Sequence, residues 1–366
     1  MVYKVIGLMS GSSLDGLDIA FVQFQETGGK WSYEIIAADC YEYDESWINE
    51  LSHATDLNAR DYLLLDARYG QYLGKKINYF IEQNDLHHQV NLISSHGHTT
   101  FHEPGQLMTA QLGSGAAIAA ATRLPVVSDL RALDVSFGGE GAPIVPIGEK
   151  LLFSEYDYFL NLGGIANISI KEGDTFFAFD ICPANRVLNM LAEEKKLLFD
   201  KDGKMAASGK VNEELLKKLN TQEYYHLPFP KSLPNTFGVE IIYPLVKSSG
   251  LPAEDAMRTY VEHICIQVKN AITSHPGRDQ SSKNRQLLVT GGGAFNIFLI
   301  GRLKEAVHEM NIEIIIPDAK LIKFKEALVM GLIGVLRWRE EYNILASVTG
   351  AQQNSISGAL WLGTEA

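Results

Sequence analysis

Cysteine is scarce. The three in 366 residues, Cys40, Cys182 and Cys265, form no CxxC pair and no metal-ligand spacing. Isolated reduced thiols in a reducing compartment are the expectation. No apolar run reaches the roughly eighteen residues of a membrane-spanning helix, and no basic stretch leads into an apolar one at the start, so neither a membrane span nor a secretory signal is expected. Positive charge is short as well: 32 basic residues face 44 acidic ones, a net charge of −12. That balance argues against non-specific nucleic-acid binding, which needs a basic face. Also missing are a GxxxxGK[ST] phosphate loop, a GxGxxG after a strand, a GxSxG elbow and an HExxH pair. Any nucleotide site must therefore use other glycine loops.

What is there is enough for a core. Apolar residues make up 46% of the chain and charged ones 21%, and the length suits two domains. Residues 3–9 and 17–24 read as strands joined by a Gly/Ser/Asp turn. Residues 58–83 carry an apolar stripe at Leu65, Tyr69, Leu73 and Ile77, a helical spacing. "VNLISSHGH" reads as a buried strand, and "QLGSGAAIAAATRLPVV" as a small-residue helix leading to a strand that ends at Asp129. The pattern then repeats. Residues 156–171 are again strand, glycine turn, strand; "TFFAFD" is a strand ending at Asp180; a helix follows from about Pro183. "LLVTGGGAFN" is a strand into a glycine loop and helix, "IEIIIPD" a strand, and "KEALVMGLIGVLRWREEY" a last helix. Residues 199–238 read as a helical insertion with an irregular loop, and 275–286 as a solvated loop. The boundary is placed near residue 130: an N-terminal domain over 1–130 and a C-terminal domain over 131–366, whose last twenty or so residues are allowed to pack back on the first domain.

Three glycine turns follow strands: Gly11–Gly16, Gly163-Gly164 and Gly291–Gly293. Each alone is an ordinary tight turn. Three in a duplicated architecture point to amides approaching phosphate oxygens, with Ser12 and Ser13 as further donors. Asp15 and Asp18 would repel phosphate directly, and can hold Mg²⁺ or its waters instead. Asp180, where a strand meets a helix, is either a general base or the cap of that helix. His96, His98 and His102 have no carboxylate or cysteine completing a metal set, so polar contact to a substrate or a buried hydrogen bond is expected of His96. Arg131 either offers a fork to a carboxylate or pairs with Asp129 or Asp134. Glu326, read as lying in the first turn of the last helix, either suits the helix dipole or accepts from sugar hydroxyls.

The ordered set "GLMSGSSLDGLDIA", "SSHGHTTFHEPG", "LPVVSDLRALDVSFGGEGAPIVP", "NLGGIANIS", "FDICPANRVLN", "DKDGKMAASGKV", "LLVTGGGAFN" and "VTGA" resembles the anhydro-N-acetylmuramic acid kinase family from residue 4 to about 351. The resemblance implies an α/β chain of two domains, the actin-like (ribonuclease H-like) ATPase and sugar-kinase fold with a central cleft. It implies ATP and Mg²⁺ as cofactors and a bacterial, cytoplasmic enzyme of cell-wall recycling. The family opens 1,6-anhydro-N-acetylmuramic acid with water and phosphorylates O6, giving N-acetylmuramic acid 6-phosphate and ADP. By this resemblance Asp180 is the catalytic base. Gly11, Ser12, Ser13, Leu14, Asp15, Gly16, Asp18, Gly163 and Gly164 bind the ATP phosphates, with Asp15 and Asp18 toward the metal. Gly291, Gly292, Gly293 and Asn296 lie under the adenosine. His96, Arg131, Asn167, Asn185 and Glu326 meet the sugar, Arg131 at its lactyl carboxylate. The partner is a small sugar, with no nucleic acid and no membrane; a homodimer is allowed for.

This chain departs from the family pattern in places. The usual Gly-Thr-Ser is Gly11-Ser12-Ser13; "SHGQT" is "SHGHT", with His98 for Gln; "IGDP" is "LGSG" at 112–115. "DTGPGN" is Asp180-Ile181-Cys182-Pro183-Ala184-Asn185, and "KSTGRE" is "KSLPNT" from Lys231. The sugar side has changed more than the nucleotide side. Two alternatives follow: a sugar kinase acting on another hexose or amino sugar, or an ATP-binding member of the same fold without sugar chemistry.

Overall fold

The computed structural model describes residues 1–11, 13–228, 231–234, 236–274 and 284–364. Its strands are β1 (Val2–Ser10), β2 (Gly16–Thr27), β3 (Lys30–Glu42), β4 (Leu92–Glu103), β5 (Met108–Leu112), β6 (Val126–Ser128), β7 (Tyr158–Leu162), β8 (Ile165–Glu172), β9 (Thr175–Pro183), β10 (Arg285–Thr290), β11 (Ile312–Ile315) and β12 (Ala359–Trp361). The principal helices are α1 (Ala59–Gln83), α2 (Gly115–Thr122), α3 (Pro146–Leu152), α4 (Asn185–Glu193), α5 (Ala253–Thr273), α6 (Ile297–Val307) and α7 (Ala319–Trp338).

Two units emerge: Met1–Ser154 with Phe324–Ala366, and Glu155–Lys323. The boundary expected near residue 130 falls inside the first unit. The stretch after β6 is fastened there, Arg131 to His96 and Asp134 to Thr349. In unit 1 the strand order is β12-β6-β4-β1-β2-β3, with β5 paired to β4; in unit 2 it is β11-β10-β7-β8-β9. Each sheet begins with three antiparallel neighbours, β1-β2-β3 and β7-β8-β9. Each then adds two parallel strands beside the first, β4 and β6 in one, β10 and β11 in the other. This is the ribonuclease H-like sheet built twice, the α/β plan of actin-like ATPases and sugar kinases.

The stripe on α1 does what its spacing predicts. Leu65, Tyr69, Leu73 and Ile77 are fully buried against unit 1's sheet, each contributing about 1.5–3 kcal/mol by burial. Asn58 caps that helix, accepting from the Asp61 amide. In unit 1, α7 runs so close over β1 that a Cβ on Gly7 would lie 2.0 Å from the Ala327 carbonyl oxygen. Only glycine fits there.

Two helix starts differ from expectation. Strand β9 continues through Pro183, which pairs with Ile165, so α4 begins at Asn185 after an Ala184 cap. Helix α7 begins at Ala319, where Asp318 accepts from the Leu321 amide. Glu326 is therefore about two turns inside the helix, and the first-turn dipole reading of it falls. The expected insertion holds two short helices, Lys204–Ser208 and Glu213–Asn220. Most of the expected solvated loop, 275–283, lies outside the described residues. Among the described residues, no helix is long and apolar enough to cross a membrane.

Candidate active site

In unit 1 the turn between β1 and β2 begins after Ser10. Leu14 takes a left-handed backbone (φ 57°) and packs on the core beneath. The Ser13 hydroxyl donates to Asp15 Oδ1 at 2.6 Å, and Asp15 is exposed. Asp18 sits on β2 opposite Cys40. Its carboxylate accepts from the Cys40 thiol, and burial together with that bond pushes the thiol up to about 12. Ser12 lies outside the described residues.

A second cluster of unit 1 forms around Arg131. Its Nε donates to His96 Nε2 at 2.7 Å, and its Nη1 to the Gly141 carbonyl at 2.6 Å. His96 in turn donates from Nδ1 to the Gly97 carbonyl at 2.8 Å. Burial, then the neighbouring guanidinium, holds His96 down to about 3, so it stays neutral and accepts. The ion pair of Arg131 with Asp129 or Asp134 does not form among the described residues. Asp134 accepts from the Thr349 hydroxyl and the Gly141 amide instead, fixing the loop wall. Burial lowers Arg131 to about 10, a charge desolvated and incompletely partnered. Glu326 feels both Arg131 and Asp15; burial raises its carboxyl, and it makes no hydrogen bond among the described residues. Asp15, His96, Arg131 and Glu326 thus share one neighbourhood.

In unit 2 two glycine turns meet at one corner. The Ala184 and Asn185 amides donate to the Gly164 and Gly163 carbonyls at 2.8 and 3.1 Å. Asn185 Nδ2 donates to the Leu162 carbonyl at 2.8 Å, so its amide is spent on holding the turn. Gly291 has φ 80°, and a Cβ there would lie 2.4 Å from Asn161 Oδ1. Asn296 caps α6 by accepting from Leu299 at 3.0 Å, a structural duty beside the adenosine role expected of it. Arg186, which the sequence reading passed over, is exposed, and its Nε would stand 3.8 Å from a Cβ on Gly164. A cation in a helix's first turn opposes the dipole, and no ion pair offsets it among the described residues.

Asp180 ends one polar row across unit 2's sheet: Asn161 on β7 faces Asn167 on β8, which faces Asp180 on β9. Cross-strand partners share a face, so the three side chains line one surface. Asp180 Oδ2 accepts from the Leu233 amide at 2.9 Å and the Ser232 hydroxyl at 3.3 Å. Its backbone is clamped too, the amide on the Lys231 carbonyl at 3.1 Å and the carbonyl by Tyr224 Oη at 2.7 Å. The cap reading falls, because Ala184 holds that position. Burial raises the Asp180 carboxyl above the ordinary carboxylate range; the Leu233 and Ser232 bonds oppose it. A desolvated carboxylate with Oδ1 left over is equipped to take a proton. The neighbouring departures, Ile181 and Cys182, are buried in the hydrophobic core of unit 2.

No group of three or more His, Cys, Asp or Glu suited to a metal occurs among the described residues. The carboxylates of Asp15 and Asp18 suit the other kind of site, where Mg²⁺ takes one or two protein oxygens and the rest from phosphates and water.

The sequence model of the anhydro-N-acetylmuramic acid kinase family matches residues 3–363. The chain is 32% identical to the anhydro-N-acetylmuramic acid kinase of Sulfurovum sp. over 98% of this chain and 99% of that one. It is 30% identical to that of Photobacterium profundum, again over 98% and 99%. Among solved structures, component A of the Acidaminococcus fermentans (R)-2-hydroxyglutaryl-CoA dehydratase is similar at TM-score 0.45 and 14% identity, over 91% of this chain and 97% of that one.

Proposed function

The chain belongs to the anhydro-N-acetylmuramic acid kinase family, and on that premise we propose how its residues divide the reaction. The enzyme opens 1,6-anhydro-N-acetylmuramic acid with water and transfers the γ-phosphoryl of ATP to O6, giving N-acetylmuramic acid 6-phosphate and ADP. Asp180 takes the proton of a water whose oxygen bonds to C1. The bridge C1–O bond breaks as that bond forms, and the released O6 attacks the γ-phosphorus. The observation that carries this reading is the Asp180 carboxyl: desolvated, fixed through Oδ2 by Ser232 and Leu233, and at the end of the Asn161–Asn167 row.

Arg131 orients the lactyl carboxylate with the guanidinium edge that His96 and Gly141 leave over, and Glu326 accepts from sugar hydroxyls. Ser13 and the amides of the first turn, with those around Gly163-Gly164 and the Arg186 guanidinium, hold the phosphates. Gly291–Gly293 give the adenosine a surface free of side chains. Asp15 and Asp18 would hold Mg²⁺, which when bound supplies charge to offset the phosphate oxygens. The enzyme works in the bacterial cytoplasm, where ATP is supplied. Burial of Ile181 and Cys182 supports an unchanged substrate, since these departures fill core rather than line the base.

Incubation with labelled ATP and the anhydro sugar is expected to yield phosphosugar and ADP in equal amounts. ADP without phosphosugar would remove the reading. A panel of hexoses and amino sugars tests the second reading, favoured by one observation: the departures from the family pattern that begin at Leu233 directly follow Lys231 and Ser232, which grip Asp180, and the Leu233 amide shares that grip.

A further inference from the structure

We propose that His98 is a phosphate-binding residue of the first glycine turn, its Nε2–H kept available for a nucleotide phosphate oxygen by a one-way chain of hydrogen bonds from Tyr69. This rests on the nucleotide part of the function proposed above. His98 lies on β4 opposite Ser10, the last residue of β1 before the turn. Strands β1 and β4 are parallel, and their ladder stops at the Ser10–His98 pair, beyond which β4 runs on to pair with β5; this is the carboxyl end of β1, the edge where open α/β sheets take their ligands. The Ser10 hydroxyl and His98 Nδ1 are 3.1 Å apart. Tyr43 Oη donates to Ser10 Oγ at 2.8 Å and lies 2.6 Å from Tyr69 Oη.

Counting protons fixes the direction of the first two links, Tyr69 to Tyr43 to Ser10. Tyr43 has one hydroxyl proton, given to Ser10, so the Tyr69 hydroxyl must donate to Tyr43. In the proposed chain Ser10 accepts from Tyr43 on one lone pair and gives its own proton to His98 Nδ1. Nδ1 is then an acceptor, and a neutral imidazole carries its proton on Nε2. Burial holds His98 down to about 4, so it is neutral at working pH. Its residue is 5% exposed, and Nε2 has no protein partner among the described residues. Tyr69, at the far end of the chain, is fully buried.

The neighbour two residues back is wired differently. His96 donates from Nδ1 to a carbonyl and accepts Arg131 on Nε2. The two histidines of "SHGHT" thus hold opposite tautomers. His96 serves the arginine of the sugar side, and His98 serves the strand that leads into the phosphate turn. Where relatives carry Gln, His98 keeps an N–H donor and adds a buried partner that fixes it.

The test is calorimetric binding of a non-hydrolysable ATP analogue with Mg²⁺, without sugar, to the full chain. His98→Phe is expected to weaken binding about 10-fold, the loss of one donor to a charged acceptor. His98→Gln restores the donor and should stay within about 3-fold of the parent. Tyr43→Phe/Tyr69→Phe removes the donor to Ser10 and frees its oxygen to accept from Nδ1, and the shift of the proton off Nε2 should weaken binding several-fold although neither tyrosine meets nucleotide. Unchanged binding in His98→Phe, or equal weakening in His98→Phe and His98→Gln, overturns the proposal. So does a rise in sugar KM with nucleotide binding intact. Should His98→Phe not fold, the double tyrosine variant decides: unchanged binding there overturns it. A parent that binds the analogue but makes no phosphosugar fails the function reading and leaves this test standing.

Discussion

The two sheets share a five-strand order and have two temperaments. Unit 1's first turn is acidic and hydroxylic, with Asp15, Asp18 and Ser13, and polar groups reach deep behind it: His96, His98, Asp134 and the Lys325–Glu149 pair are all buried. Unit 2's turn at Gly163-Gly164 carries no acid and is held by backbone bonds to α4. The ion pairs described in unit 2 keep more exposed side chains, such as Arg302–Glu262 and Lys218–Glu214. The same fold thus puts ligand edges in the same place twice, while turn sequence decides what each edge does. The acidic turn suits a cation between protein and phosphate; the amide turn suits the phosphate itself. Unit 2's one desolvated acid on its polar row, Asp180, is then free to act as a base.

The sharpest break in that contrast is Asp180→Asn. Losing the proposed general base should lower kcat by about 10²–10⁴-fold, with binding of the ATP analogue unchanged, measured by phosphosugar formation and calorimetry. Equal kcat would put the proton elsewhere. Next is Lys325→Ala in unit 1. Its Nζ lies 2.9 Å from Glu149 Oε1, both side chains at most 6% exposed, and Glu149 Oε2 has no partner among the described residues. Removing the lysine strands a buried carboxylate, an expected loss of about 3–5 kcal/mol in urea unfolding. Glu149→Leu/Lys325→Met should recover most of it. Lys218→Ala in unit 2 should leave the midpoint where it was, because that pair is solvated.

Much of this was legible beforehand, and the residues that were not share a cause. The α1 stripe, both hairpins and the three glycine turns are local signals, read from periodicity and turn chemistry. The family resemblance carried Asp180, Arg131 and Glu326 onto the chain. Spacing left Asp180 even between base and cap, because the end of β9 cannot be told from the start of α4 when a Pro is compatible with both. Glu326 reads as a first-turn residue only if the helix is started at Lys325; the Asp318 cap and the apolar Leu321 and Ile322 put its start at Ala319. Arg186, Asn161, and the Ser232 and Leu233 grip on Asp180 depend on strand register or on contacts some fifty residues apart in sequence. No local pattern announces those.

Arg131→Lys asks whether unit 1 positions the sugar by geometry or by charge alone. A lysine keeps the charge but cannot hold His96, the Gly141 carbonyl and a carboxylate at once. The expected outcome is an increase of about 10-fold in sugar KM with ATP KM unchanged. An unchanged sugar KM would mean that charge suffices.

The smallest effect is the most specific to the base proposed in unit 2. Burial raises the Asp180 carboxyl, and the base works only when deprotonated, so kcat/KM for the sugar should rise with pH through a limb above the ordinary carboxylate range. The Ser232 hydroxyl stabilises the charged form and so pulls that limb down. Ser232→Ala removes that pull while the Leu233 amide stays, and the acid limb should move to higher pH with the alkaline plateau nearly kept. The described donors to the Asp180 carboxylate, Ser232 and Leu233, both belong to unit 2, so Ser13→Ala should leave the limb in place. If the limb moves with Ser13→Ala, or not with Ser232→Ala, the division of labour between the two units is drawn in the wrong place.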